Sequence, residues 1–174
     1  MSRPLTTRER IQRMFEHREA DRVPIVDLPW DSTIARWRRE GLPADADWAE
    51  YLDVDCVRLI LPDNSPRFPE RVIEATSEYR IYTTRWGATR KDWYDRSGAL
   101  GYLDYAVKDR ASWAKAKERM QPSRERIPWE YLASEYPRWR RRGDWVMGVL
   151  WFGFEVIYSH MVGAPLFIAM VEDP

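Results

Sequence analysis

The chain predicts an α/β fold in which parallel-type core strands are joined by helical crossovers, with an antiparallel β meander inserted at about residues 69–95. Three short apolar runs, Val23 to Leu28, Asp55 to Leu61 and Asp144 to Trp151, alternate with stretches whose apolar residues recur every three or four positions. Between the second and third runs, strand formers are broken by turn residues, the mark of a meander with one wet face. The 174 residues are 44% hydrophobic and 14% aromatic, enough to bury a sizeable core, so one domain over 1–174 is expected.

Each element has a local reason. Thr6-Thr7-Arg8-Glu9 has capping-box spacing, and Ile11, Met14 and Phe15 form one stripe on a first helix ending near His17. Val23 to Leu28 reads as a first strand, with Pro24 near its start where a missing N–H is tolerable. A helix follows over Thr33 to Glu40 with Gly41 as its stop, then a short helix over Asp45 to Leu52. Asp55 to Leu61 is the second strand, broken by Pro62-Asp63-Asn64-Ser65-Pro66. In the meander, Val72-Ile73, Tyr79 to Trp86 and Thr89 to Tyr94 are separated by Thr76-Ser77-Glu78 and Gly87-Ala88. Asp109 caps a helix carrying Trp113, Ala116 and Met120, and Pro122 ends it. A helix from Pro128 to Arg142 leads to the third strand, Asp144 to Trp151, and helices over Phe154 to Gly163 and Pro165 to Val171 complete the order.

Composition removes several function classes. Lys+Arg and Asp+Glu balance at 28 each, so bulk charge gives no basic face for nucleic acid. The basic cluster Arg138 to Arg142 reads as a solvated helix end whose cations complement the helix dipole. Cys56 is the one cysteine, so an intrachain disulfide is impossible, and no run of about 18 apolar residues offers a membrane span. The N-terminus has charges without a following apolar region, so no secretory signal is expected and the location reads as cytoplasmic. Phosphate-cradling glycine loops and a serine nucleophile elbow are both missing from the sequence. With His17, His160 and Cys56 as the soft ligands, no metal site is expected within this chain.

In α/β folds chemistry gathers at the C-terminal ends of the core strands, which draws attention to Asp27 to Asp31, Leu61 to Ser65 and Trp151 to Glu155. Asp63 and His160 are the candidate catalytic residues, since a carboxylate or imidazole there can serve acid/base steps. Asp27, Trp30, Asp31, Trp151 and Phe154 are the candidate substrate-binding residues, as polar groups and aromatic walls of one pocket. Each also has an ordinary role: Asp31 as a helix cap, Asp63 as a turn aspartate, His160 as a satisfied helix histidine, the aromatics as core.

Thr7-Arg8-Glu9-Arg10-Ile11 followed by Glu19-Ala20-Asp21-Arg22-Val23-Pro24 resembles the opening of the uroporphyrinogen decarboxylase superfamily. Trp37-Arg38-Arg39-Glu40-Gly41-Leu42-Pro43, Tyr105 to Trp113, Lys117-Glu118-Arg119-Met120 and the ending Glu172-Asp173-Pro174 resemble segments of its divergent, decarboxylase-like branch. The resemblance implies the N-terminal half of a (β/α)8 TIM-type barrel, because a closed barrel typically needs about 250 residues. It implies decarboxylation or corrinoid- or thiol-linked methyl transfer on a tetrapyrrole-like or small substrate, by a portion incomplete for catalysis alone. Asp63 matches the family aspartate that stabilises pyrrole charge during decarboxylation, which needs no metal or organic cofactor. His160 stands before Met161-Val162 where the decarboxylases carry a tyrosine, and Pro29-Trp30-Asp31-Ser32-Thr33 replaces their arginine-bearing propionate motif, which argues against uroporphyrinogen itself. Zinc or a corrinoid would enter only through ligands from a C-terminal half. The expected partners are a small-molecule substrate and either a second copy or a completing chain, with no nucleic acid and no membrane. The alternative is a non-catalytic truncated module that associates with itself or a partner.

Overall fold

Thr6 opens the first helix through a complete capping box: its hydroxyl accepts from the Glu9 N–H, and the Glu9 carboxylate accepts from the Thr6 N–H. The computed structural model describes residues 4–95 and 100–172. Parts of two sequence readings, Met1 to Arg3 of the N-terminus and Asp173-Pro174 of the closing motif, lie outside the described residues. The elements are α1 (Thr7–Phe15), α2 (Asp31–Glu40), α3 (Trp48–Tyr51), β1 (Val57–Ile60), β2 (Arg71–Ala75), β3 (Tyr79–Thr83), β4 (Ala88–Trp93) and β5 (Leu100–Tyr105). They continue with α4 (Arg110–Arg119), α5 (Trp129–Arg142), β6 (Trp145–Gly148), α6 (Phe154–Val156), a π-helix at Ile157–Val162, and α7 (Pro165–Glu172). The chain divides into two compact units: residues up to Leu61 with Pro128–Val149, and Pro62–Ile127 with residues from Leu150 onward.

The first unit is built on β1 and β6, which pair in parallel from Val57↔Trp145 to Ile60↔Gly148. Phe15 of α1 stacks on Trp145 at 5.7 Å, while Ile11, Leu42, Ala49 and Trp139 are buried. α5 stops at Gly143, whose φ of +78° is left-handed and whose ideal Cβ would lie 2.6 Å from the Thr6 Cβ. A glycine therefore lets the end of α5 pass the start of α1, where the Arg8 N–H donates to the Gly143 carbonyl at 2.8 Å. The unit also buries a charged knot, with Asp55 completely enclosed and paired to Arg10 and Arg22.

The barrel expectation is overturned here. The parallel sheet has two strands, the other sheet is antiparallel, and there is neither a closed barrel nor a repeating parallel β/α pattern among the described residues. The expected first strand, Val23 to Leu28, joins no sheet. Its backbone tie is a single pair around Asp55: the Asp55 N–H donates to the Ile25 carbonyl, and the Ile25 N–H donates to the Asp55 carboxylate. Pro24 removes a donor from the run and Pro29 follows its end, and Val23 and Leu28 are 79% and 63% exposed, so neither ladder nor burial holds it as a strand. The other two core strands exist but are shorter than the apolar runs that predicted them.

The second unit contains the meander, with strand order β2-β3-β4-β5. The expected stretch Tyr79 to Trp86 ends as a strand at Thr83 and then turns, and a fourth strand, β5, extends the sheet beyond the predicted insertion. Gly87 sits at this turn with φ +94°, and a Cβ there would lie 2.8 Å from the Phe68 ring. The core gathers Trp86, Val107, Ala116, Val156 and Met161. α4 enters it through the predicted Asp109 cap, completed by Ser112 in a reciprocal capping box.

Candidate functional site

Strand register in the meander sets which side chains share a face, because residues directly opposite in a ladder point the same way. Arg80 faces Asp92, Tyr82 faces Arg90, and Arg90 faces Tyr102. The result is a row of alternating aromatic and charged groups across β3, β4 and β5. The Arg80 guanidinium lies 4.5 Å from the Tyr82 ring centre, and that of Arg90 lies 5.7 Å from both Tyr82 and Tyr102. Asp92 joins the row: it accepts from Arg90 at 2.9 Å and from the Tyr82 hydroxyl at 2.7 Å, with an Arg80 nitrogen at 3.7 Å. Two arginines against one aspartate leave the row with excess positive charge. The Arg90 Nε is buried and has no hydrogen-bond partner, a costly state for a charged donor.

The row ends at His160, which the π-helix presents. Such helices are rare and recur at functional sites, since the extra residue per turn re-aims side chains. The imidazole is buried, 4.9 Å from the Trp151 ring, 5.7 Å from Tyr102 in an edge-on contact, and 6.4 Å from Trp86. Its Nδ1 lies 3.3 Å from the Tyr102 hydroxyl. Burial pushes the Tyr102 phenol up, so it stays protonated. The Tyr102 hydroxyl can donate to Nδ1 or accept from an Nδ1–H, and the imidazole tautomer sets which of the two donates. Burial, followed by the nearby Arg90 charge, lowers the His160 pKa from 6.5, with Glu155 opposing.

That shift has a testable sign. A neutral buried histidine in the folded state means the unfolded chain binds more protons between the lowered folded value and 6.5. Folding stability should therefore be full above pH 6.5 and fall as the pH drops below it. Urea titrations at stepped pH should show this slope in the wild type and a flatter profile in His160→Gln over the same window.

The other sequence candidates fall into different places. Trp151 meets His160 through its ring. Phe154 does not; it packs with Tyr158 at 5.8 Å and Phe167 at 5.4 Å in a separate aromatic group. Asp63 is held by its own loop, accepting from the Ser65 hydroxyl at 2.6 Å and from Arg67 at 2.7 Å. Burial raises its pKa, but those donors outweigh it and the carboxyl lies below the ordinary range. The neighbouring Asn64 amide donates to the Trp151 carbonyl at 2.6 Å, so the Asp63 loop is fastened to the residue that stacks on His160. Asp27, Trp30 and Asp31 belong to the first unit and are exposed there. Asp27 accepts from the adjacent Leu28 N–H, and Asp31 is the first residue of α2 rather than its cap, a position filled by Trp30 without a side-chain bond.

Arg80, Tyr82, Arg90, Asp92 and Tyr102 were not singled out from sequence. Their signal was the two-residue spacing of Arg80 with Tyr82 and of Arg90 with Asp92, but it becomes a site only once the register is known. Among the described residues no group of three or more His, Cys, Asp or Glu side chains could hold a metal ion, and no helix is long and apolar enough to cross a membrane. Compared with known proteins, the chain matches no family model, no curated protein and no solved structure.

Proposed function

We propose that this chain forms part of an enzyme of the uroporphyrinogen decarboxylase type, acting by decarboxylation on a small or tetrapyrrole-like carboxylate bound beside His160. The observation that carries the reading is the neutral His160 and Tyr102 pair standing at the end of the Arg80, Arg90 and Asp92 row. Arginine is suited to a carboxylate because its planar donors match the two oxygens. Trp151, half exposed beside His160, offers its ring to a flat substrate. In decarboxylation the bond from the substrate carbon to its carboxylate breaks, carbon dioxide leaves, and the electron pair stays on that carbon. A proton from the Tyr102 and His160 pair then completes the product, and solvent restores it. Asp63, which the family resemblance casts as charge stabiliser, would act here through the loop that anchors Trp151. Methyl transfer remains the other activity the resemblance implies, and it would need ligands this chain does not itself supply.

Binding tests the reading without requiring turnover. At least one ring carboxylate of a panel running from benzoate and pyrrole-2-carboxylate to mesoporphyrin should bind saturably, and Arg90→Gln should weaken that binding about tenfold, as expected for loss of a charge-assisted contact. Circular dichroism establishes that the variant is folded. Equal affinity in a folded Arg90→Gln protein, or no binding by the wild type, would sink the proposal.

A second reading, a non-catalytic module that associates with itself or a partner, is favoured by apolar side chains left in water, including Phe152 at 79% and Val171 at 82% exposure. Light scattering over a concentration series separates the two: association without carboxylate binding supports the module.

A further inference from the structure

Every side of α7 is apolar, and Glu172 at its last position is its one charged residue. Pro165, Leu166 and Ala169 fall on one side of the helix and line a cavity that Trp113 of α4 also walls, so this side is turned to its own unit. At about 3.6 residues per turn, Phe167, Ile168, Met170 and Val171 fall within an arc of about 160° on the opposite side. These four are between 47% and 82% exposed. Phe154 of α6, half exposed, continues the face, its ring centre 5.4 Å from that of Phe167. A helix at a protein surface normally turns a polar face to water, whereas one that is apolar all round is found covered on both sides.

Taking about 150–250 Å² for a whole aromatic side chain, the exposed parts of these five side chains come to on the order of 500 Å². Patches of that size mark interaction sites, and two such faces together reach on the order of 1,000 Å², the least that a specific protein interface needs. The face offers neither a charge nor a strand edge, so its complement is a surface of the same character, and the chain itself carries one. We infer that a second copy of this chain covers the face, α7 lying antiparallel to the partner copy's α7 about a two-fold axis. In such an isologous contact the same residues serve both sides. The antiparallel arrangement also sets each Glu172 beside the first turn of the other α7, where the helix dipole favours a carboxylate. Association through this face is independent of carboxylate binding beside His160, and benzoate titrated into the same samples reads the latter separately.

Sedimentation of the full chain over roughly 1–100 μM tests the dimer. The mass should double with a dissociation constant in the micromolar range, as suits an interface near the lower size limit. Ile168→Glu combined with Val171→Glu alters two exposed positions, so circular dichroism should stay native while association weakens at least about tenfold. Ile168→Lys combined with Val171→Lys should act alike, and mixing the acidic and basic variants should restore a dimer, because the face then meets its opposite charge. Leu28→Glu, at an exposed apolar position of the first unit, should dimerise as the wild type does. The dimer is overturned by a wild type that stays monomeric over this range, by association that persists in the folded acidic variant, by a mixture that does not associate, or by dissociation in Leu28→Glu.

Discussion

Replacing Asp55 by alanine is expected to destabilise the first unit by about 3–5 kcal/mol, the range for removing one partner from a buried ionic group. The Asp55 side chain has no exposure and the Arg10 side chain only 6%. One carboxylate accepts from Arg10, from Arg22 at 2.6 Å and from the Ile25 N–H at 2.9 Å. Removing it takes one carboxylate from both guanidinium groups, leaving Arg10 with Asp21 and Arg22 with the Asp53 carbonyl, and it costs the Ile25 N–H its acceptor while the Asp55 N–H still donates to the Ile25 carbonyl. Folded domains are stable by about 5–15 kcal/mol, so the loss is a large share of the total. Thermal melts should shift by on the order of 10 °C. Asp21→Ala is the control, because Asp21 also holds Arg10 but is 34% exposed, and it should cost clearly less. The two changes costing the same would show that burial of Asp55 is not what matters.

The same carboxylate predicts acid sensitivity. Burial raises the Asp55 pKa, but the hydrogen bonds from Ile25, Arg22 and Arg10 outweigh it and the net shift is below 3.8. Its contribution is therefore complete above pH 3.8 and lost as the pH falls toward the lowered folded value. This loss begins below 3.8 and that of His160 below 6.5, so one pH series shows where each sets in.

Gly163→Ala should be the most damaging small change in the second unit, at about 2–4 kcal/mol from backbone strain together with a displaced ring. Gly163 has φ +74° and ψ −156°, a conformation open essentially to glycine alone. A Cβ at this position would lie 2.4 Å from the Tyr105 ring, where a real contact cannot exist. Tyr105 stacks on Tyr102 at 6.1 Å, and Tyr102 holds His160. The substitution should thus register twice: in stability, and as a rise of the His160 pKa back toward 6.5 as its enclosure loosens. Imidazole proton resonances followed against pH measure the second effect. Gly148→Ala, at a position where a Cβ meets nothing within 4 Å, should leave both nearly unchanged. An unaltered His160 titration in Gly163→Ala would break the link drawn between the π-helix terminus and the imidazole.

What was legible from the sequence was whatever depends on neighbours along the chain. The Thr6 and Glu9 capping box, the Asp109 cap, the Gly41 stop and the meander all appear where their residues predicted, because each rests on contacts spanning a few positions. His160 and Trp151 were likewise visible as a polar and an aromatic group near one apolar run, and they do meet.

What the tertiary structure alone decided was long-range pairing. Val23 to Leu28 has the composition of a strand, yet composition says nothing about a ladder partner, and its proline and exposed side chains leave it outside both sheets. Asp63 looked catalytic by position, but Ser65 and Arg67 claim its oxygens. Arg90 looked like one cation among many until the registers of β3, β4 and β5 set it between two tyrosines and beside Asp92. A strand shifted by one residue would turn those side chains to the opposite face, so no local pattern could assign them to a site. Hydrogen bonds between near neighbours are written into the order of the residues; partners brought from distant parts of the chain are chosen by the packing of the whole unit.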